Sequence, residues 1–178
     1  MNEALLSTGK DDWETPKEFF EKLNKEFNFT LDPCSSNKNH KCSKYYTEID
    51  DGLSKDWSGE IVFCNPPYSV PENPCKPNCT KKSCLKRGYH ITEYKPGQED
   101  WIKKCYEEGK KTTVVMLIPS RTDTKAFHDY ILGKSEIRFI KGRLKFVGAK
   151  DPAPFPNMLV IYKPKHVTTD KEMLAYTE

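Results

Sequence analysis

Long apolar runs are missing from this chain. No stretch approaches the ~18 residues that a helix needs to cross a bilayer, so a helical membrane protein is excluded. The first residues, MNEALLSTGKDDW, also lack the basic-then-apolar pattern of a secretory signal, and a cytoplasmic protein is expected. Apolar residues make up only 36% of the chain and charged residues 31%. Even so, 3 Trp, 9 Tyr and 9 Phe exclude a disordered polyelectrolyte. The net charge of +3 permits a nucleic-acid partner without requiring one. At 178 residues the chain fits one domain with a sizeable core.

What is present in excess is cysteine. Seven cysteines in a cytoplasmic chain point to burial or metal rather than disulfides. Cys34, Cys42, Cys64 and Cys105 lie scattered among apolar or strand-like stretches and read as ordinary thiols. Cys75, Cys79 and Cys84 crowd together, and His90 follows. The pattern Cys75-x3-Cys79-x4-Cys84-x5-His90 offers three thiolates and an imidazole within 16 residues, a donor set suited to structural zinc. Around it, residues 69–100 show no periodicity and read as an insertion without a core of its own. A metal is the natural way to order such a segment. Lys76, Lys81, Lys82, Lys86 and Arg87 interleave with the ligands and suit contacts to DNA phosphates.

Periodicity predicts the rest of the fold. Thr15 reads as an N-cap with Pro16 at the first helical position, followed by Phe19, Phe20, Leu23 and Phe27 on one helical face. Strands are expected at 27–31, 45–47 and 61–64. A helix is expected over 99–109, a doubly buried strand within 111–119 and a helix over 122–132, capped by Thr122 or Asp123. Lys141-Gly142 reads as the turn of a hairpin between 136–140 and 143–147, with a last strand at 157–162. The sum is an α/β protein with a mostly parallel sheet and an antiparallel C-terminal hairpin. In such sheets ligands bind at the carboxyl ends of the strands. Those ends here are Asp32-Pro33-Cys34, Asn65-Pro66-Pro67-Tyr68 and Pro119-Ser120-Arg121.

The second of these ends carries the most chemistry. The Asn65 side-chain carbonyl and the Pro66 backbone carbonyl would both accept from one planar amino group. No proline N–H competes with them. Tyr68 supplies an aromatic ring for stacking. Such a platform suits methylation of an exocyclic or amide nitrogen. Asp32 would meet the amino-acid end of a methyl donor, while Asp51-Gly52-Leu53 would lie under its adenine. Trp13-Glu14-Thr15-Pro16 would close over it.

In this order, Trp13-x-Thr15-Pro16, Leu31-Asp32-Pro33-Cys34, Asp50-Asp51-Gly52-Leu53, Asn65-Pro66-Pro67-Tyr68, the segment MLIPSRTDT and Ala153-Pro154-Phe155-Pro156 resemble the phage-type, Dam-like DNA N6-adenine methyltransferases. The resemblance spans about residues 11–162. It implies a Rossmann-like methyltransferase fold, S-adenosylmethionine as donor and adenine in double-stranded DNA as substrate. It also implies catalysis at Asn65, Pro66, Pro67 and Tyr68, with Trp13, Thr15, Pro16, Asp32, Pro33, Cys34, Asp51 and Leu53 around the cofactor. A phage or prophage gene acting in the cytoplasm of a bacterial host follows. The chain departs from many such enzymes in having Cys34-Ser35-Ser36 where a glycine-rich loop would stand. It also has no room for a separate target-recognition domain, so selectivity falls to the insertion, the hairpin or a second subunit.

On this reading residues 1–178 form one methyltransferase domain, with 70–98 as a zinc-binding insertion and 1–10 and 164–178 as flexible tails. Lys81, Lys82, Lys86, Arg87, Arg121 and Arg143 are the expected DNA contacts, the last on a basic strip with Arg138, Lys141 and Lys145. An Arg121–Asp123 salt bridge is the alternative for Arg121. The platform alone would equally accept an RNA base or a protein glutamine amide, and a zinc-bearing DNA-binding protein without catalysis is the alternative from another class.

Overall fold

A computed structural model describes residues 13–164; the expected tails at 1–10 and beyond 164 lie outside the described residues. Helix α1, Lys17–Phe27, buries Phe20, Leu23 and Phe27. It ends at Asn28, whose left-handed backbone (φ 56°) lets its N–H reach the Asn24 carbonyl at 2.9 Å. The N-cap is Pro16 rather than Thr15, and no side chain caps this end. Thr15 is buried and used elsewhere. Glu18 in the first turn and Lys25 in the last suit the helix dipole.

Strands β1 (Leu31–Asp32), β2 (Lys44–Tyr45), β3 (Val62–Cys64), β4 (Val114–Pro119), β5 (Glu136–Phe139) and β6 (Asn157–Tyr162) form one six-stranded sheet. Their order is β2-β1-β3-β4-β6-β5. Pairings are parallel from β2 through β4, and β6 runs antiparallel to both β4 and β5. β1 is shorter than expected because Phe27 completes α1. β3, β4 and β6 are buried throughout, which accounts for their continuous apolar runs.

The antiparallel edge differs from expectation. Strand β5 pairs with β6, not with 143–147, so the Lys141-Gly142 turn (Gly142 φ 81°) does not join two strands. Segment 143–156 instead crosses the sheet end, with Phe146 and Ala153 buried. Because 143–147 is not a strand, Arg138, Lys141, Arg143 and Lys145 do not form a hairpin face. The Arg138 guanidinium is held by Glu26 on α1 and by Glu136.

Helix α2 (Lys82–Arg87) lies within the insertion, which is more ordered than its sequence implies. Helix α3 (Gln98–Glu108) begins at Gly97, whose N–H is taken by the Asp100 carboxylate at 2.8 Å. The expected 122–132 helix is reduced to a short segment ending in the wide turn Phe127–Ile131, and Thr124 caps Phe127 at 3.2 Å. Neither Thr122 nor Asp123 does so. Among the described residues no helix is long and apolar enough to cross a membrane.

β1 pairs in parallel with both β2 and β3, so the chain leaves β1 towards one edge of the sheet and leaves β3 towards the other. Crevices form at such points. Asp32 closes β1 there and Asn65 follows β3.

Candidate active site at the carboxyl edge of the sheet

Pairing of Cys64 with Met116 places the residues after β3 beside the end of β4. From that position Asn65 points its amide nitrogen inward. Its two N–H groups go to the Trp13 carbonyl and to the Thr15 hydroxyl at 3.0 Å. The Trp13 carbonyl only accepts, so the NH2 end must face it and the Oδ1 end must face away. Oδ1 takes the Tyr68 hydroxyl at 2.8 Å; the same hydroxyl lies 3.3 Å from the Leu117 carbonyl. No donor among the described residues reaches the Pro66 carbonyl. Two acceptors of the platform therefore remain available to an incoming amino group: the second lone pair of Oδ1 and the Pro66 oxygen.

Tyr68 is less open than the sequence suggests. Its ring is 6% exposed, nearly parallel to the Trp13 indole with centroids 6.4 Å apart, and met edge-on by Phe146 and Phe155. Burial raises the Tyr68 phenol well above its usual range, so it stays protonated as a donor. Phe146 and Phe155 were missed as site residues; only the Ala153-Pro154-Phe155-Pro156 motif hinted at one of them.

On the β1 side Asp32 is 3% exposed. Its carboxylate accepts from the backbone N–H of Lys41 at 3.0 Å and of Cys34 at 3.4 Å. Desolvation outweighs these bonds and raises its pKa to about 6. Lys41 reaches on to Glu14 at 2.9 Å, which ties the Trp13–Pro16 segment to the loop after β1. Gly52 is buried against Pro33, and an added Cβ would stand 2.1 Å from the Pro33 carbonyl oxygen. That contact brings Asp51-Gly52-Leu53 under the end of β1, with Asp51 exposed and Leu53 half-buried. Trp13, Thr15, Pro16, Asp32, Pro33, Cys34, Asp51, Leu53 and Asn65 are thus assembled on one sheet edge.

The cysteine cluster also comes together. The ligand atoms of Cys75, Cys79, Cys84 and His90 all lie within 4.8 Å of one another. Cys84 Sγ is 3.4 Å from Cys75 Sγ and 3.7 Å from Cys79 Sγ. Hydrogen bonds from Cys75, then Cys79, Arg87 and His90, lower the Cys84 thiol to about 6. By contrast Cys42 is pushed up to about 12 by burial and Cys64 well upward, as befits inert core thiols.

The expected DNA contacts divide. Lys81, Lys82 and Lys86 are exposed. Arg87 is turned inward to Glu72 at 2.9 Å and towards Cys84 at 3.5 Å. Arg143 reaches the Ala153 carbonyl at 3.4 Å. Arg121 is half-buried and makes no salt bridge with Asp123 among the described residues.

An α/β sheet with paired acceptors set beyond β3 is an arrangement able to receive an amino group. The family of DNA N-6-adenine-methyltransferases (Dam) matches residues 3–176. The chain belongs to this family and is an adenine-specific DNA methyltransferase. It is 29% identical over 164 residues to the DNA N-6-adenine-methyltransferase of Haemophilus phage HP1 (strain HP1c1), covering 88% of this chain and 80% of that protein. A 65-residue stretch is 34% identical to the DNA N-6-adenine-methyltransferase of Escherichia phage T1, covering 35% of this chain and 27% of that protein. Membership implies S-adenosylmethionine as methyl donor.

Proposed function

We propose that the chain is a single Rossmann-like methyltransferase domain carrying a zinc-binding insertion at 70–98, and that it methylates adenine N6 in double-stranded DNA in the cytoplasm of a bacterial host. The orientation of Asn65 carries this reading. With its NH2 held by Trp13 and Thr15, the side chain presents an acceptor outward beside the Pro66 carbonyl, the pair that one planar amino group needs.

The residues of the β1 edge fit S-adenosylmethionine. Asp32 offers a buried carboxylate for a cationic or hydroxyl-bearing group. The close packing of Gly52 on Pro33 sets Asp51 and Leu53 to take the adenine amine and ring. Trp13, Thr15 and Pro16 cover the cofactor, with Pro33 and Cys34 as its wall. When bound, the cofactor supplies an electrophilic methyl group on a sulfonium.

The protein's part is positional. Adenine N6 is a poor nucleophile because its lone pair is delocalised into the ring. Accepting both N6 hydrogens at Asn65 Oδ1 and the Pro66 carbonyl biases the nitrogen towards tetrahedral geometry. Pro67 keeps the loop free of a competing donor. The base must leave the duplex to reach this edge, and Tyr68 would stack on it once the base enters the cluster formed with Trp13. In-line positioning of this kind contributes several kcal/mol to rate. No strong base is needed, since the proton becomes acidic only as the methyl arrives.

The test is Asn65→Ala, assayed by methyl transfer from labelled S-adenosylmethionine to unmethylated DNA with nucleoside mass spectrometry. Turnover falls by at least about a hundredfold while cofactor affinity is kept. Wild-type turnover in this variant would remove Asn65 from the mechanism.

Zinc fits the cluster. Around a tetrahedral ion with Zn–S of about 2.3 Å, sulfur atoms stand roughly 3.8 Å apart, close to the spacings at Cys84. Lys81, Lys82 and Lys86 would meet DNA phosphates. Arg121 and Arg143 would join them from the β4 end and the 143–156 segment. Arg87 would do so only by leaving Glu72.

A further inference from the structure

The insertion is a narrow two-sided ribbon with the catalytic loop at one end and the thiol cluster at the other. At its base the Gln98 N–H donates to the Ser69 carbonyl at 2.8 Å, directly after Tyr68. Gly97 sits so close to Pro71 that a Cβ would be 2.3 Å from the Pro71 nitrogen. One step out, Glu72 and Lys95 exchange both backbone hydrogen bonds at 2.9 Å; a further step out, the Cys75 N–H reaches the Ile91 carbonyl at 2.8 Å. Beyond that lie the four ligand atoms. Cys84 and Ile91 are buried, yet neither belongs to the main apolar cluster. The ribbon has almost no apolar interior, so its order depends on the tie at its tip.

Helix α2 hangs from that tip and has two faces. Cys84 and Arg87, three residues apart, turn inward, with Arg87 bridging Cys84 and Glu72. Lys82, Leu85 and Lys86, at the i, i+3, i+4 spacing of one helical face, turn outward. Leu85 stands between them, 71% exposed. Neither Lys82 nor Lys86, nor the nearby Lys76 and Lys81, has a carboxylate partner among the described residues. Between residues 70 and 98 six lysines and arginines face two glutamates. A surface of unpaired cations around a protruding aliphatic side chain complements a polyanion with apolar sugars and base edges, which is DNA.

We propose that the Cys75–Cys79–Cys84–His90 cluster, loaded with zinc, is a clasp that holds the Lys82–Leu85–Lys86 face as a duplex-docking surface beside the catalytic loop, so that metal content sets DNA affinity without altering cofactor affinity. The proposal rests on the reading of the cluster as a zinc site. It gives the chain a DNA-gripping element beside the catalytic loop. The metal does no chemistry in this role; it replaces the missing core of the ribbon.

The test combines zinc analysis of the purified protein with binding to a short fluorescent duplex and, separately, to S-adenosylmethionine. Wild-type protein carries one zinc per chain. The double variant Lys82→Glu/Lys86→Glu keeps the zinc and the cofactor affinity, weakens duplex binding by about tenfold or more, and flattens its salt dependence by about two units of slope. Cys79→Ser loses the zinc, keeps cofactor affinity and weakens duplex binding to a similar degree. Should that variant fail to bind cofactor, chelation of the wild-type protein replaces it.

Unchanged duplex binding after the lysine reversals overturns the surface. Unchanged binding by zinc-free protein overturns the clasp. A folded, metal-free wild-type protein with full DNA affinity overturns the zinc reading beneath both. Turnover of Asn65→Ala tests the catalytic loop separately, so an error about that loop leaves the duplex-binding outcomes of the lysine and zinc experiments as they stand.

Discussion

The carboxyl edge of the sheet and the insertion that leaves it obtain order by different means. At the edge, Asp32 ends β1 while Asn65 and Tyr68 follow β3, strands whose side chains are buried, and each polar atom is aimed by a fixed backbone. In the insertion, Cys84 and Ile91 are nearly the whole interior, and the backbone is held by a few rungs and a knot of thiols. Burial scales with apolar area and cannot be turned off. Coordination holds a small segment at the cost of depending on an ion. On the proposed reading, the insertion that would grip DNA and let go is built the second way, and the platform that would hold an acceptor in place is built the first.

The largest expected effect would show whether the two regions are separable. Phe63→Ala empties space at the centre of the sheet and should cost about 3–5 kcal/mol, lowering the thermal midpoint and abolishing cofactor binding. Zinc chelation should leave that midpoint nearly unchanged while making residues 70–98 the first site of proteolysis. Equal losses of global stability in both experiments would break the comparison.

A smaller effect sharpens it inside the active edge. On the proposed mechanism Thr15, whose hydroxyl accepts from Asn65 at 3.0 Å, would act through Asn65 as a positioning residue. Thr15→Val should lower kcat by about tenfold, the worth of one hydrogen bond of about 1.4 kcal/mol. Cofactor and DNA affinities should stay close to wild type, and Thr15→Ser should restore the rate. An unchanged kcat in the valine variant would mean that the Trp13 carbonyl orients Asn65 alone.

The smallest effect is a pH dependence. The folded pKa of Asp32, about 6, lies above its unfolded value because burial penalises the charge. Folding therefore takes up a proton between about pH 4 and pH 6, and this group's contribution to stability declines as pH rises through that window. Cofactor binding at the proposed site would run the other way, since it would use the carboxylate. Affinity for S-adenosylmethionine, measured by calorimetry, should fall as pH drops below about 6. Asp32→Asn should remove the dependence and weaken binding at neutral pH. A flat profile in the wild type would take Asp32 out of the cofactor site.

Much of the site could be read along the chain because its signals are local. Asn65-Pro66-Pro67-Tyr68 follows an apolar run and needs only that strand to be placed. The cluster's three cysteines and one histidine lie within 16 residues, so short loops alone bring them together. The continuous apolar runs of β4 and β6 announced strands buried on both faces. Local signals failed where a partner is distant. Thr15 looks like a helix cap, and its bond to Asn65, 50 residues on, has no sequence signature. Strand β5 pairs with 157–162 across an intervening crossing segment, although Lys141-Gly142 promised a neighbour at 143–147. Arg87 and Arg138 read as free cations, but Glu72 and Glu26 claim them.

The sequence by itself determined the α/β class of fold through periodicity, and the family through the resemblance of motifs spread in order over about residues 11–162. It named the acceptor loop and the donor set of the insertion as candidates from spacing within a few turns of chain. Only the tertiary structure decided which way the Asn65 amide faces, that Tyr68 is packed among Trp13, Phe146 and Phe155, and which cations of the insertion point outward. Those outcomes depend on which surfaces meet when the sheet closes, and a side chain's last hydrogen bond goes to whatever partner packing brings within 3 Å or so of it.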